Sequence, residues 1–294
     1  MPAYTHYCPG KICHASEGWH PVLDHFLGTV LMTYTNRIIS KDFSQLADVS
    51  HAFMTRRIDK CTHVYTTLDA KKAQIDDPAN IINHNLDRAA ENLGFASENI
   101  SMMLQTHSTR VAVVDGSAYR PEHDVDAQVT TVAGVALGVL TADCVPVLLA
   151  DAKHRVIGAV HAGWKGTCAG VLEATIEKMV ALSALTHDIH AVIGPCIRWD
   201  SYEVGPDFVE AFAHIPKFKD FLKPSPSNPG RHLFDLPGMV KFKLRALGLT
   251  NVFDIEIDTY TNPDICFSYR RQTHRNEGFQ GNLLSVIMLE KDGE

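Results

Sequence analysis

The stretch ADCVPVLLADAKHRVIGAVHAGW, residues 142–164, holds two apolar runs, VPVLLA (145–150) and RVIGAV (155–160), either side of a polar reversal. Short, continuously apolar runs read as strands. Asp151, Ala152, Lys153 and His154 supply the chemistry of a tight turn. With the turn centred between Ala152 and Lys153, Cys144 falls directly opposite His161. Both then lie on one face with Cβ atoms roughly 4.5–5.5 Å apart. A slip of one residue would send them to opposite faces, so the reading depends on the turn.

That spacing suits two ligands of one metal ion, or a thiol–imidazole nucleophile pair. The plain alternative is a small buried cysteine and a strand-end surface histidine. A third group tips the balance. His107, in QTHS (105–108), reads as the end of another strand among polar neighbours, where sites are commonly built. His107, Cys144 and His161 form a two-histidine, one-cysteine set. Three protein ligands leave a fourth tetrahedral position for water or substrate, the pattern of a catalytic zinc. Mixed nitrogen and sulfur donors favour zinc, with copper the rival on affinity.

Outward from this hairpin, strands and helices alternate irregularly. HAFMTRR (51–57), NISMMLQTH (99–107), RVAVVDG (110–116), IHAVIGPCI (189–197), NVFDIEID (251–258) and LLSVIML (283–289) read as strands. VDAQVTTVAGVALGVLTADC (125–144) reads as one long buried strand. DDPANIINHNLDRAAENLG (76–94) reads as a helix with Asp77 as cap and Gly94 past its end. KGTCAGVLEATIEKMVALSAL (165–185) has apolar residues at helical spacing, namely Val171, Leu172, Ile176, Met179 and Val180. PDFVEAFAHI (206–215) and LPGMVKFKLRALGL (236–249) are further helices, and KPSPSNPGRH (223–232) a mobile surface loop. The interleaving argues a mixed α/β layered domain. Residues 1–45 read as an N-terminal extension, poorly ordered, and 46–294 as a single domain.

The composition narrows the function. The chain has 294 residues, a net charge of −7 and no basic run, which argues against a nucleic-acid partner. Seven scattered cysteines suit a reducing compartment. No apolar run is long enough for a membrane helix and no signal-peptide pattern opens the chain, so a cytoplasmic location is expected. The phosphate-binding loop, the nucleophile elbow, the dinucleotide fingerprint and the zinc-protease motif are all missing. So is the paired-cysteine signature of nucleobase deaminases.

QTHS, LTADCVPVLL (140–149) and VHAGWKG (160–166), in this order, resemble the multicopper polyphenol oxidase (laccase-domain) family, now usually read as purine nucleoside phosphorylases and including the bacterial peptidoglycan-editing factor. DDPANIINHN, DVDAQVT, VIGPCI, YEVG and CFSYRRQTHR match further family blocks, from about Leu46 to Met288. The resemblance implies stacked mixed sheets with outer helices, like the catalytic domain of cytotoxic necrotising factor. It implies zinc on His107, Cys144 and His161. It also implies phosphorolysis of adenosine, inosine, guanosine and methylthioadenosine, often with deamination of adenosine.

On that reading the reaction needs cations for phosphate, and Arg56, Lys165, Arg270 and Arg271 are the candidates. Lys165 follows His161 closely at the start of a helix. Asp143, beside Cys144, could carry protons or orient a ligand. Trp164 and Phe267 could wall the purine. The alternatives are hydrolysis of muramyl precursors, copper-dependent phenol oxidation, and a vestigial zinc-binding protein. The chain departs from the family pattern at Ile58 and Asp59, where glycines are usual, at Asp69, at Leu86, at Lys165 and at Asn282. The metal site is intact while the expected substrate rim has drifted.

Overall fold

The computed structural model describes residues 30–34, 37–56, 86–87, 89–91, 94–116, 124–276 and 281–291. Its centre is the hairpin of the opening stretch: β8 (Val145–Asp151) and β9 (Val156–Ala162), buried at every position. Their side chains divide by parity. Leu148, Ala150, Ile157 and Ala159 enter one core cluster. Val145, Val147, Leu149, Val156 and Val160 enter a second on the other face. Both faces of the hairpin are covered, which is why the sequence shows no polar alternation here.

The hairpin sits inside a six-stranded mixed sheet, β14-β10-β8-β9-β6-β5, with β5 (Val111–Val113), β6 (Ala127–Thr130), β10 (His190–Ile193) and β14 (Asn251–Asp254). A second six-stranded sheet, β1-β2-β3-β15-β7-β4, packs on one face of it. This sheet comprises β1 (Val30–Tyr34), β2 (Arg37–Ser40), β3 (Val49–Met54), β4 (Ile100–Ser101), β7 (Ala136–Thr141) and β15 (Leu283–Leu289). Phe53, Leu137, Val139, Leu284 and Val286 meet the hairpin between the sheets. Helices α2 (Val171–Ala181) and α4 (Leu236–Ala246) cover the other face through Leu172, Ile176, Met179, Met239, Val240 and Leu244. The architecture is the expected mixed α/β arrangement of stacked sheets and outer helices.

Several expectations need correction. The stretch 125–144 is two strands, not one: β6 and β7 lie in different sheets, joined by a turn at Gly134 with φ 79°. Only Ile100–Ser101 of 99–107 is strand, so His107 lies in a bend beyond β4. The helix expected from Lys165 divides at Gly170, whose φ of 106° ends a short α1 (Trp164–Ala169) before α2. Val180 faces solvent, 45% exposed. The loop expected to be mobile is the connection of a small hairpin, β12 (Leu222–Pro224) with β13 (His232–Phe234), which β11 (Glu203–Val204) extends. The Glu203 carboxylate holds Ser225, Asn228 and Arg231 there. Residues 37–45 fall on the extension side of the boundary drawn at Leu46. They nevertheless pack into the domain, with Ile38 and Phe43 buried and β2 paired to β3. Of the helix expected over 76–94, residues 86–87 and 89–91 are helical and Gly94 caps it with φ 81°; its start lies outside the described residues. α3 (Pro206–Phe212) and α5 (Tyr269–Arg275) complete the helices discussed below.

Candidate metal centre and substrate cavity

The hairpin register differs from the expected one by two residues on one strand. His161 pairs with Pro146, not Cys144. The loop holds four residues, Ala152–Arg155, and Arg155 closes it in the left-handed region with φ 53°. Asp151 stabilises that longer loop, its carboxylate accepting the His154 amide at 3.0 Å and pairing with the His154 ring at 2.8 Å. A shift of two preserves the face where a shift of one would not. Cys144, just ahead of β8, is therefore diagonal to His161 and still on the inter-sheet side.

His107, Cys144 and His161 come together at the end of the sheet stack. Their ligand atoms all lie within 4.8 Å of one another. Cys144 Sγ is 3.7 Å from His107 Nε2, and the two imidazole rings stand nearly perpendicular with centroids 4.7 Å apart. His161 is buried, Cys144 partly buried and His107 exposed. Two non-glycine residues with positive φ shape the cluster: His107 at 63° and Asp143 at 91°. Non-glycine residues in this region carry strain that surrounding contacts must hold, a feature common at functional sites.

Asp126 is the holder. It is fully buried at the head of β6. Its carboxylate accepts the amides of Thr106 (3.1 Å), His107 (2.9 Å) and Ser108 (2.6 Å), together with the Ser108 hydroxyl (2.8 Å). It also pairs with His161 Nδ1 at 2.7 Å. Burial alone would raise this carboxyl, but the hydrogen bond and charge of His161 and the bonds from Ser108 overcome it and set the group at about 2. One carboxylate thus fixes the His107 bend and the His161 ring together. With Nδ1 carrying the proton toward Asp126, Nε2 of His161 is left as the ligand atom. Sequence reasoning did not single out Asp126.

The thiol and imidazole support each other. Burial pushes the Cys144 thiol up, yet the positive His161 ring and hydrogen bonds from both histidines hold it well below its ordinary range. Burial works against charge on His161, while the thiolate and Asp126 raise it. Protons that a cation would displace are already balanced between these groups, and a thiolate is the form that binds metal. Gly163 leaves the necessary room. A Cβ there would sit 2.7 Å from His107 Cδ2 and 3.1 Å from Cys144 Sγ. Donor set, protonation and space fit a metal ion held by three protein ligands.

The cluster lies in the wall of a cavity of about 930 Å³, lined also by Thr141, Trp164, Tyr202, Tyr269, Arg270 and Asn282. That volume accommodates a ligand of drug or nucleoside size. Of the four cationic candidates, Arg270 lines the cavity, with its guanidinium donating to the Glu203 carbonyl at 2.6 Å and lying 5.1 Å from the Tyr202 ring. Arg271 does not face it: buried, it donates to the carbonyls of Thr259, Tyr260 and Cys266. Arg56 stacks over Phe267 and bonds the Pro263 carbonyl, outside the lining. Lys165 is exposed, beside the Trp164 ring and also outside the lining.

Asp143 has both oxygens taken. One accepts the Thr259 hydroxyl and the other the Arg270 amide, each at 2.6 Å. Burial raises this carboxyl, against those hydrogen bonds. It lines the cavity next to Cys144, and its two bonds fix the first turn of α5. Phe267 is wholly buried core, and Trp164 packs against Phe208 and Phe212 while keeping an edge on the cavity. Of the departures from the family pattern, Leu86 packs against the core and Asn282 lines the cavity. Ile58, Asp59 and Asp69 lie outside the described residues. No helix among the described residues is long and apolar enough to cross a membrane.

The family model described as multi-copper polyphenol oxidoreductase laccase matches residues 50–290. A purine nucleoside phosphorylase of Deinococcus radiodurans is 35% identical over 243 residues, covering 83% of this chain and 90% of that protein. "Adenosine deaminase RL5", from an unknown prokaryotic organism, is 34% identical over 220 residues, covering 71% of this chain and 82% of its own. The crystal structure of Neisseria meningitidis protein NMB0706 superposes with a TM-score of 0.70 at 30% identity, over 83% of this chain and 96% of that one.

Proposed function

This chain belongs to the multi-copper polyphenol oxidoreductase laccase family, and from that premise we propose that it is a zinc-dependent purine nucleoside phosphorylase. The observation that carries the reading is the convergence of His107, Cys144 and His161 in the wall of a nucleoside-sized cavity. Relatives named purine nucleoside phosphorylase support the substrate class and support an enzyme of nucleoside-processing type.

His107, Cys144 and His161 would hold the metal. Zinc rather than copper suits two imidazoles and a thiolate with one open position. A bound zinc ion supplies Lewis acidity and a lowered pKa for bound water. The remaining work falls to the chain's own groups. Asp126 keeps the His161 proton on Nδ1 and the His107 bend in place. Asp143 fixes the start of α5 and thereby the Arg270 backbone. The Arg270 guanidinium is the cation suited to a phosphate within the cavity, since Arg56, Lys165 and Arg271 lie off its lining. Phosphorolysis breaks the glycosidic bond and forms a bond from phosphate oxygen to the anomeric carbon, releasing the free base. Hydrolytic deamination of adenosine at the same site is the second reading, favoured by the relative named adenosine deaminase.

Inosine and adenosine turnover, with and without phosphate, on metal-quantified protein and on Cys144→Ala, tests the proposal. Phosphate-dependent base release, lost together with zinc in the variant, is expected. Ammonia release from adenosine without phosphate marks the second reading. Bound zinc with neither base nor ammonia released would overturn both and direct attention to muramyl precursors.

A further inference from the structure

We propose that Tyr269 is the stacking platform for the purine base, an inference that rests on the nucleoside reading above. Among the described residues, three large aromatic rings line the cavity: Trp164, Tyr202 and Tyr269. Trp164 meets the edges of Phe208 and Phe212, each with ring centroids 5.1 Å away. Tyr202 carries the Arg270 guanidinium on its ring at 5.1 Å and packs against Phe234. Tyr269 is 61% exposed, the most exposed of the large apolar side chains among the described residues. A tyrosine so exposed at the lip of a cavity is surface that a planar ligand would cover.

Its position is built. Tyr269 is the first residue of α5, between the capping Ser268, which accepts the Arg271 amide at 3.1 Å, and Arg270, whose amide is held by Asp143. Asp143 is the chain neighbour of Cys144. Two consecutive residues therefore serve the two ends of one site. Cys144 belongs to the metal cluster, and Asp143 fixes the turn that presents Tyr269 and Arg270. The arrangement puts an aromatic side chain and a cation on one helical turn in the lining of the cavity that holds the cluster. It suits a ligand with a flat heteroaromatic base and an anionic co-substrate. Stacking tolerates any purine because each presents the same kind of π-face. One platform thus accounts for several nucleosides without base-edge readout.

The test is steady-state inosine phosphorolysis by zinc-loaded wild type, Tyr269→Phe and Tyr269→Ala, with zinc content and thermal unfolding measured on each. Loss of the ring is expected to raise KM for inosine roughly ten- to a hundredfold, with kcat changed by less than about threefold. The Phe variant keeps the ring and is expected to restore the wild-type KM. An Ala variant with KM within about twofold of wild type overturns the inference. So does a Phe variant as impaired as Ala, since the hydroxyl and not the face would then be the contact. Wild type that releases no base from any purine nucleoside defeats the functional reading first, and the stacking role with it.

Discussion

Asp126 shows how much of this site rests on a single side chain. As a carboxylate it accepts three backbone amides, a hydroxyl and the His161 Nδ1 proton. As an amide it would turn an N–H toward His161 and drive the ring proton to Nε2, the ligand atom. Asp126→Asn is therefore expected to weaken zinc binding by roughly 10- to 100-fold while the chain stays folded. Competitive chelator titration reads the affinity, and nitrogen NMR of the imidazole reads the tautomer. Unchanged affinity would remove Asp126 from the account. Gly163→Ala is the complementary change. Its φ of −68° suits alanine, so the backbone is not strained, but the added Cβ displaces His107 or Cys144. Elemental analysis is expected to find the metal lost from a protein with wild-type thermal stability. Cys144, His161 and His107 were legible from residue type and spacing. Asp126 was not, because nothing in DVDAQVT says which acid enters the interior. Arg270 and Arg271 could not be separated either. Adjacent helical residues point about 100° apart, and only the packed helix decides which of the two faces the cavity.

At the scale of elements, the hairpin of residues 142–164 was legible as two strands about a polar turn, while its burial on both faces and its register were not. Register followed the loop, and the loop followed Asp151, whose bonds to His154 favour four residues over two. The error left the site intact only because it was even. The division of 125–144 into two sheets was hidden because β6 and β7 are each as apolar as one continuous strand. α5 gives the sharpest prediction at this scale. Asp143→Ala removes the acceptor for both Thr259 and the Arg270 amide, and is expected to lower the unfolding free energy by about 2 kcal/mol or more. It should raise KM for nucleoside and keep zinc. Chemical denaturation with parallel zinc analysis decides. Zinc loss without loss of stability would place Asp143 in the metal cluster instead of behind α5.

For the whole molecule, stability depends on a histidine outside the His107–Cys144–His161 cluster. His51 on β3 is 6% exposed, lies against Phe43 and Phe53, and accepts the Ser40 amide at 2.9 Å through Nε2. Burial lowers its pKa from 6.5 to about 4. Between those values the unfolded chain carries a proton that the folded chain lacks. Stability is thus complete above about pH 6.5 and declines as pH falls toward 4, by about 3 kcal/mol from this group. His51→Gln keeps an acceptor for Ser40 and removes the titration, so its unfolding free energy should fall less across that window. Equal acid sensitivity in both proteins would assign the loss to other groups. The same region shows what composition concealed. Residues 37–45 read as part of an extension because they lack a strong period, yet β2 pairs with β3 within the second sheet and Phe43 is buried in the core. A mixed α/β layered domain was legible from the order of apolar runs, since element order is written locally, whereas stacked mixed sheets with outer helices followed only from the family resemblance. Strand order within the sheets is a long-range property and required the structure.

One titration tests the metal and the substrate class together. Hypoxanthine release from inosine would be followed, at saturating phosphate, as zinc is returned stepwise to metal-stripped protein. The account predicts release that rises in proportion to bound zinc, levels off at about one zinc per chain, and disappears when phosphate is omitted. Release that ignores zinc, or zinc that saturates the chain with no base released, would contradict it.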